Sequence, residues 1–227
     1  KNDIPKKYLI QMYDADLIDK EISQSKLEIT ARLIGLCNTD GNLNIKDNDN
    51  YDISFYVGEE QDVFDVIDDI KRLGFGESSV SRSTSEFKYD DGRKVLQTTF
   101  RVSKGGALGL YLNKMGAFVG RKTSQTREVP DWIMNGNKNI KREFLSGFQG
   151  GDGCRLNYHS NGNNLKLNIN DTKQTTIREF ENETIDYMKQ LSILFQEFSI
   201  KTDVIIKEIK NSEKKEICLK FSKSIEN

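Results

Sequence analysis

Two stretches constrain what this 227-residue chain can fold into more than anything else in it. They are Leu33-Ile34-Gly35-Leu36-Cys37-Asn38-Thr39-Asp40-Gly41 and Leu145-Ser146-Gly147-Phe148-Gln149-Gly150-Gly151-Asp152-Gly153. Each runs an apolar helical stretch into Asp-Gly, and each follows charged helix formers, Lys26-Leu27-Glu28 and Lys141-Arg142-Glu143. Small residues recur four apart in both copies, Gly35 with Thr39 and Gly147 with Gly151. Residues four apart share one face of a helix. Small residues on facing surfaces let two helix backbones approach closely. One helix ending in Asp-Gly is an ordinary capped helix, but two copies with the same internal spacing predict a pair. The expected helix–helix seam is Gly35, Thr39, Gly147 and Gly151, with Asp40 and Asp152 side by side where the helices stop.

The segments around the motifs also repeat. Ile4-Pro5 opens the first lead-in and Val129-Pro130 the second. A motif helix is predicted over 25–39, followed by period-two alternation: Leu43 and Ile45 against Asn42, Asn44 and Lys46, then Ile53, Phe55 and Val57 against Ser54 and Tyr56. That pattern marks half-buried strands. A helix over 61–73, strands at 79–82 and 96–102, and a helix over 107–115 complete the first unit. The second motif is followed by predicted strands at 155–158 and 165–170, a helix over 184–198, and strands at 203–208 and 216–221. Asp40 precedes Phe55 by the same fifteen positions that separate Asp152 from Leu167. The fold expected is α+β, two pseudo-symmetric αββαββα subdomains over 1–116 and 129–227, with the last helix of the second incomplete. Residues 117–128, containing Gly120-Arg121-Lys122, form the basic connector.

The motif pair resembles the LAGLIDADG (dodecapeptide) motif of homing endonucleases, in the single-chain, two-motif form. The resemblance implies a site-specific double-strand DNA endonuclease whose paired helices meet at the interface and whose two antiparallel sheets form a DNA-binding saddle. It implies Asp40 and Asp152 as catalytic metal ligands for Mg²⁺ (or Mn²⁺). Mg²⁺ takes only one or two protein carboxylates beside waters and phosphate oxygens, which two helix-end aspartates match. The earlier motif acid is replaced by Asn38 and Gly150, a position that varies in the family. Ser-Lys follows the fourth strand of each half, at Lys104 and Lys223. The family places a lysine there beside the scissile phosphate, where it could steady developing charge. Glu59 and Asp171 are weaker candidates for positioning water.

The strand residues facing away from the helices are the expected DNA surface: Asn42, Asn44, Lys46, Ser54, Tyr56, Gln97, Thr99 and Arg101 in one half, Lys166, Asn168, Asn170 and Lys220 in the other. Amides, hydroxyls and Arg/Lys read base edges and hold phosphates. The net charge of −1 would not by itself suggest nucleic acid, so the argument rests on how charge is distributed. The partner implied is a long, pseudo-palindromic duplex bound by a monomer. No apolar run approaches the ~20 residues of a membrane span, and no secretory signal is evident, so an intracellular setting is expected. Three scattered cysteines make neither a disulfide framework nor a zinc site. The rival readings are a catalytically silent relative acting as an RNA-splicing maturase or DNA-binding module, and the endonuclease insert of an intein. The Ile-Pro and Val-Pro lead-ins and Phe148-Gln149-Gly150-Gly151-Asp152-Gly153 are similar to intein endonucleases. No splicing nucleophile stands at residue 1 and no His-Asn closes the chain.

Overall fold

The structure, a computed structural model, describes residues 4–46, 50–88, 92–152, 157–161, 164–168, 171–209 and 212–222. The first half runs α1 (Lys6–Asp14), α2 (Gln24–Asn38), β1 (Gly41–Lys46), β2 (Asn50–Val57), α3 (Glu60–Arg72), β3 (Ser79–Lys88), β4 (Lys94–Gly105) and α4 (Ala107–Lys114). Its strands form one antiparallel sheet in the order β1-β2-β4-β3. Ile53, Phe55 and Val102 on its inner face are fully buried. Against that face lies α2, whose second half, from Leu33 to Asn38, is buried all round because sheet and helices enclose it. The more amphipathic α3 offers Val63, Val66 and Ile70 to the same core.

The second half runs α5 (Asp131–Met134), α6 (Lys138–Asp152), β5 (Asn157–Asn161), β6 (Asn164–Asn168), β7 (Thr172–Ile177), α7 (Glu181–Gln196), β8 (Thr202–Glu208) and β9 (Lys214–Phe221). Both α1 and α5 start directly after a proline, Pro5 and Pro130, whose carbonyls accept the first helical N–H bonds. The fold is α+β with two antiparallel sheets, as the repeat implied.

One expectation is corrected. The strands predicted at 155–158 and 165–170 are present in part as β5 and β6, but they pair with each other as a separate hairpin. The strand beside β9 is β7, giving the order β7-β9-β8, which matches β2-β4-β3 of the first half. The fifteen-residue offset therefore led to the wrong strand. The physical reason is that the inner face of β7 is polar: Thr172, Gln174 and Thr176 are buried there. Thr172 Oγ1 donates to Gln149 Oε1 at 2.9 Å, Thr176 Oγ1 donates to the Phe180 carbonyl at 3.2 Å, and Gln174 accepts from Arg127. Hydrogen-bonded side chains replace apolar ones, so the period-two hydrophobic signal is missing.

Candidate active site

The site starts from the contact between α2 and α6. A Cβ built on Gly35 would lie 2.7 Å from the Phe148 backbone nitrogen, and one on Gly147 would lie 2.9 Å from that of Leu36. Gly151 faces the Thr39 side chain and the Asp40 nitrogen, the latter at 3.1 Å. All four small residues thus lie where one backbone meets the other. Beside the seam Arg32 of α2 ties three helices together. It donates to both carboxylate oxygens of Asp69 in α3, at 2.7 and 2.5 Å, and to Glu143 of α6.

This packing brings the two helix ends together, and the Asp40 charge is felt at Asp152. Burial pushes the Asp152 carboxyl up to about 7, with the neighbouring Asp40 charge adding to it. Asp40 is also raised by burial, with Lys122 opposing. Two carboxylates crowded together disfavour the doubly ionised state. Asp152 Oδ2 is moreover buried with no hydrogen-bond partner among the described residues. Among the described residues no group of three or more His, Cys, Asp or Glu could hold a metal ion. Asp40 and Asp152 are two carboxylates, within the one or two that Mg²⁺ takes when phosphate oxygens and waters complete its shell.

The lysine next to these carboxylates is Lys122, which the sequence reading placed only in the connector. Its Nζ donates to the Thr39 carbonyl and, at 2.6 Å, to the Gly41 carbonyl, across the C-terminal end of α2. Cations are favoured at a helix C-terminus. Burial lowers its affinity for the proton, while the charges of Asp152 and Asp40 oppose that. The connector is not a free tether. Phe118 N donates to Asn38 Oδ1 at 3.0 Å and Gly120 N to the Leu43 carbonyl at 2.8 Å, pinning it across the end of α2 and the start of β1.

Lys104 is corrected by the register. It lies opposite Ile53, on the same sheet face as Val102 and Phe55, and so points to the helix side. Its ammonium donates to the Glu77 carbonyl at 2.7 Å. Counting from the strand end located the residue but not the face. Asp171 is taken up by an ion pair with Lys207 at 3.3 Å. Glu59 immediately precedes α3. Lys223 and Asn170 lie outside the described residues, as do the side chains of Lys166 and Asn168.

On the outer face of the first sheet the pairings line up Asn42, Ser54 and Ser103 in one row, and Tyr56 with Arg101 in the next. Asn44, Lys46, Gln97 and Thr99 share that face, and Lys46 pairs with Asp52 at 2.9 Å. Ser54 is only 2% exposed and cannot itself reach a ligand. It accepts from Arg101 Nε at 2.9 Å and shares a 3.0 Å hydrogen bond with Ser103, so it orients the arginine. The sequence reading missed Ser81, Ser83 and Ser85, which share this face because β3 continues to Lys88. In the second sheet Lys220 is exposed, opposite Asp203.

Paired helices joined by small residues, with a sheet on either side and an aspartate at each helix end, define the fold of the LAGLIDADG homing endonucleases. Among solved structures, I-DmoI in complex with DNA and Ca matches with a TM-score of 0.50 and 13% identity, covering 88% of this chain and 85% of that one. I-WcaI bound to its DNA recognition sequence matches at 0.48 and 16% identity, covering 93% and 81%. No protein-family model matches. Curated relatives include the replication factor C small subunit of Methanocaldococcus jannaschii, 27% identical over 218 residues, covering 94% of this chain and 11% of that protein. From the same organism come the tRNA-splicing ligase RtcB, 24% identical over 214 residues (91% and 21%), and RNA polymerase subunit Rpo1N, 27% identical over 209 residues (89% and 15%). The chain spans between a tenth and about a fifth of the length of these relatives.

Proposed function

We propose that this chain is a site-specific, divalent-metal-dependent double-strand DNA endonuclease of the LAGLIDADG family, acting as a monomer. The observation that carries this reading is the crowding of Asp40 and Asp152 at two packed helix ends, one carboxylate oxygen lacking a partner and Lys122 alongside. A divalent cation supplies Lewis-acid stabilisation of charge on the scissile phosphate. Asp40 and Asp152 would hold it, and Lys122, fixed by the Thr39 and Gly41 carbonyls, would present positive charge towards the same phosphate. The outer sheet faces position the duplex, Arg101 being held in place by Ser54.

The test is plasmid cleavage on a target selected from a randomised library, in Mg²⁺ or Mn²⁺, following nicked and linear forms. Asp40→Asn and Asp152→Asn are expected to abolish cutting of both strands and leave DNA binding intact. Asn keeps the shape but loses the charge a hard cation requires. Binding without cutting by the unaltered chain would instead support the silent DNA-binding form; RNA binding in its place would support a maturase.

A second reading concerns how the chain is carried. Relatives named for replication, RNA ligation and transcription contain a matching stretch of 209–218 residues that is a small part of each. Work so different has no shared step that this segment could perform, which supports an insert that travels between host genes, as an intein endonuclease does. The preferred target is then the host gene's uninterrupted sequence, cut at the insertion point. Cleavage with no preference for that junction would refute this.

A further inference from the structure

Among the described residues, four buried polar atoms in one neighbourhood lack a well-formed hydrogen bond: Asp152 Oδ2, Arg127 Nε, Tyr187 Oη and Asn38 Nδ2. Buried polar groups carry a free-energy cost unless partnered, so such a gathering asks for a physical account. Arg127 is 1% exposed. Its guanidinium donates to Gln174 Oε1, to Thr184 Oγ1 at 2.7 Å and to the Thr175 carbonyl at 3.4 Å, all neutral acceptors. It stands 5.9 Å from the centre of the Tyr187 ring. Tyr187, fully enclosed on α7, packs edge-on against Phe148 at 6.1 Å and Phe118 at 5.6 Å. Phe148 precedes Asp152 by four residues, so Asp152 lies one helical turn further along the face of α6 that Tyr187 supports. Asn38 spends its carbonyl oxygen on Phe118 N and turns its amide nitrogen to the Tyr187 hydroxyl, near enough to donate a loose hydrogen bond to Oη.

The donors and acceptors are complementary. Asn38 Nδ2 donates to Tyr187 Oη, while Arg127 Nε–H and the Tyr187 O–H can donate inward and Asp152 Oδ2 can accept. One water taking the two inward bonds and giving one to Asp152 would satisfy all four groups, within the two to four bonds a buried water makes. We propose that Arg127, Tyr187 and Asn38 are positioning residues that hold Asp152 from beneath through a shared buried water, aiming its other oxygen at the cation and phosphate. This rests on Asp152 being a cation-holding carboxylate, as argued above. Asn38 stands at the earlier acidic position of the first motif and on this account supports the aspartate of the second. Outer partners of metal-holding groups orient them and tune their affinity.

The test uses the full chain and two conservative variants: Tyr187→Phe, which deletes only the hydroxyl, and Arg127→Lys, which keeps the charge but loses the planar donor fork. In a crystal structure of the metal-free wild type, a water is expected within hydrogen-bond distance of both Arg127 Nε and Asp152 Oδ2. Mn²⁺ affinity, measured by calorimetry, is expected to fall about tenfold in Tyr187→Phe at unchanged melting temperature, and to fall in Arg127→Lys as well. A merely structural tyrosine would change melting and leave affinity alone. No water at that place, or wild-type Mn²⁺ affinity in both variants, overturns the inference. If the wild type binds no Mn²⁺ at all, the metal reading of the site fails, and the crystallographic water alone decides whether the positioning set exists.

Discussion

Replacing Gly147 by alanine tests the helix seam on which the site depends. The added Cβ would stand 2.9 Å from the Leu36 nitrogen and closer still to the Arg32 carbonyl, whereas ordinary contact begins at 3.4 Å. Both neighbours are helical backbone, which cannot rotate away as a side chain tip would, and the closer contact with the Arg32 carbonyl forces α2 and α6 to part by about an ångström or more. Overpacking of this kind costs about 1–3 kcal/mol. Alanine recovers about 0.5–1 kcal/mol of helix propensity relative to glycine. The net expectation is a loss of about 1–2 kcal/mol, and Gly147→Leu should lose more. At about 2–4 °C per kcal/mol for a chain of this size, melting should fall by about 2–8 °C. Gly150 is an internal control three residues along the same helix: nothing lies within 4 Å of its built Cβ. Gly150→Ala should therefore be neutral or stabilising by up to about 1 kcal/mol. Urea and thermal unfolding read both variants. Equal stability of Gly147→Ala and wild type, or equal losses in the two variants, would refute the close backbone contact. Gly147→Ala should also slow cleavage more than its stability loss explains, because the same shift moves Asp152 away from Asp40.

Three further predictions follow from the site. Without metal, the Asp152 carboxyl lies at about 7 against an ordinary 3.8, so the folded chain holds a proton the unfolded chain releases. Its stability should then fall as pH rises from about 4 to 7 and level off above; Asp152→Asn should flatten that slope in denaturation curves taken with EDTA. Lys122→Met should cut plasmid slowly while Lys104→Met stays near the wild-type rate, and the reverse order would show that the cation beside the carboxylates has been misassigned. DNA binding should weaken with salt despite the net charge of −1, with a slope of about −0.9 in log K per phosphate neutralised; a slope near zero in fluorescence anisotropy would remove the sheets as a DNA surface.

What the sequence determined by itself is what repeats or alternates. Gly35 and Thr39, with Gly147 and Gly151, state the seam because four-residue spacing survives any detail of packing. Leu43, Ile53 and Phe55 state the first sheet's inner face because period-two alternation is local. The tertiary structure alone decided the rest. It put β7 into the second sheet, since Thr172, Gln174 and Thr176 bury hydrogen-bonded groups that carry no hydrophobic signal. It turned Lys104 to the helix side, since a strand residue's face is set by pairing with Ile53, not by its distance from the strand end. It also brought Lys122 and Arg127 to the aspartates, because the connector is pinned across the end of α2 and the start of β1 by bonds to Asn38, Thr39 and Leu43. Such bonds join residues about 80 positions apart, and no pattern local to the connector records them. Short-range periodicity is written in neighbouring residues, whereas the charge environment of a site is assembled from segments that meet only when the chain has folded.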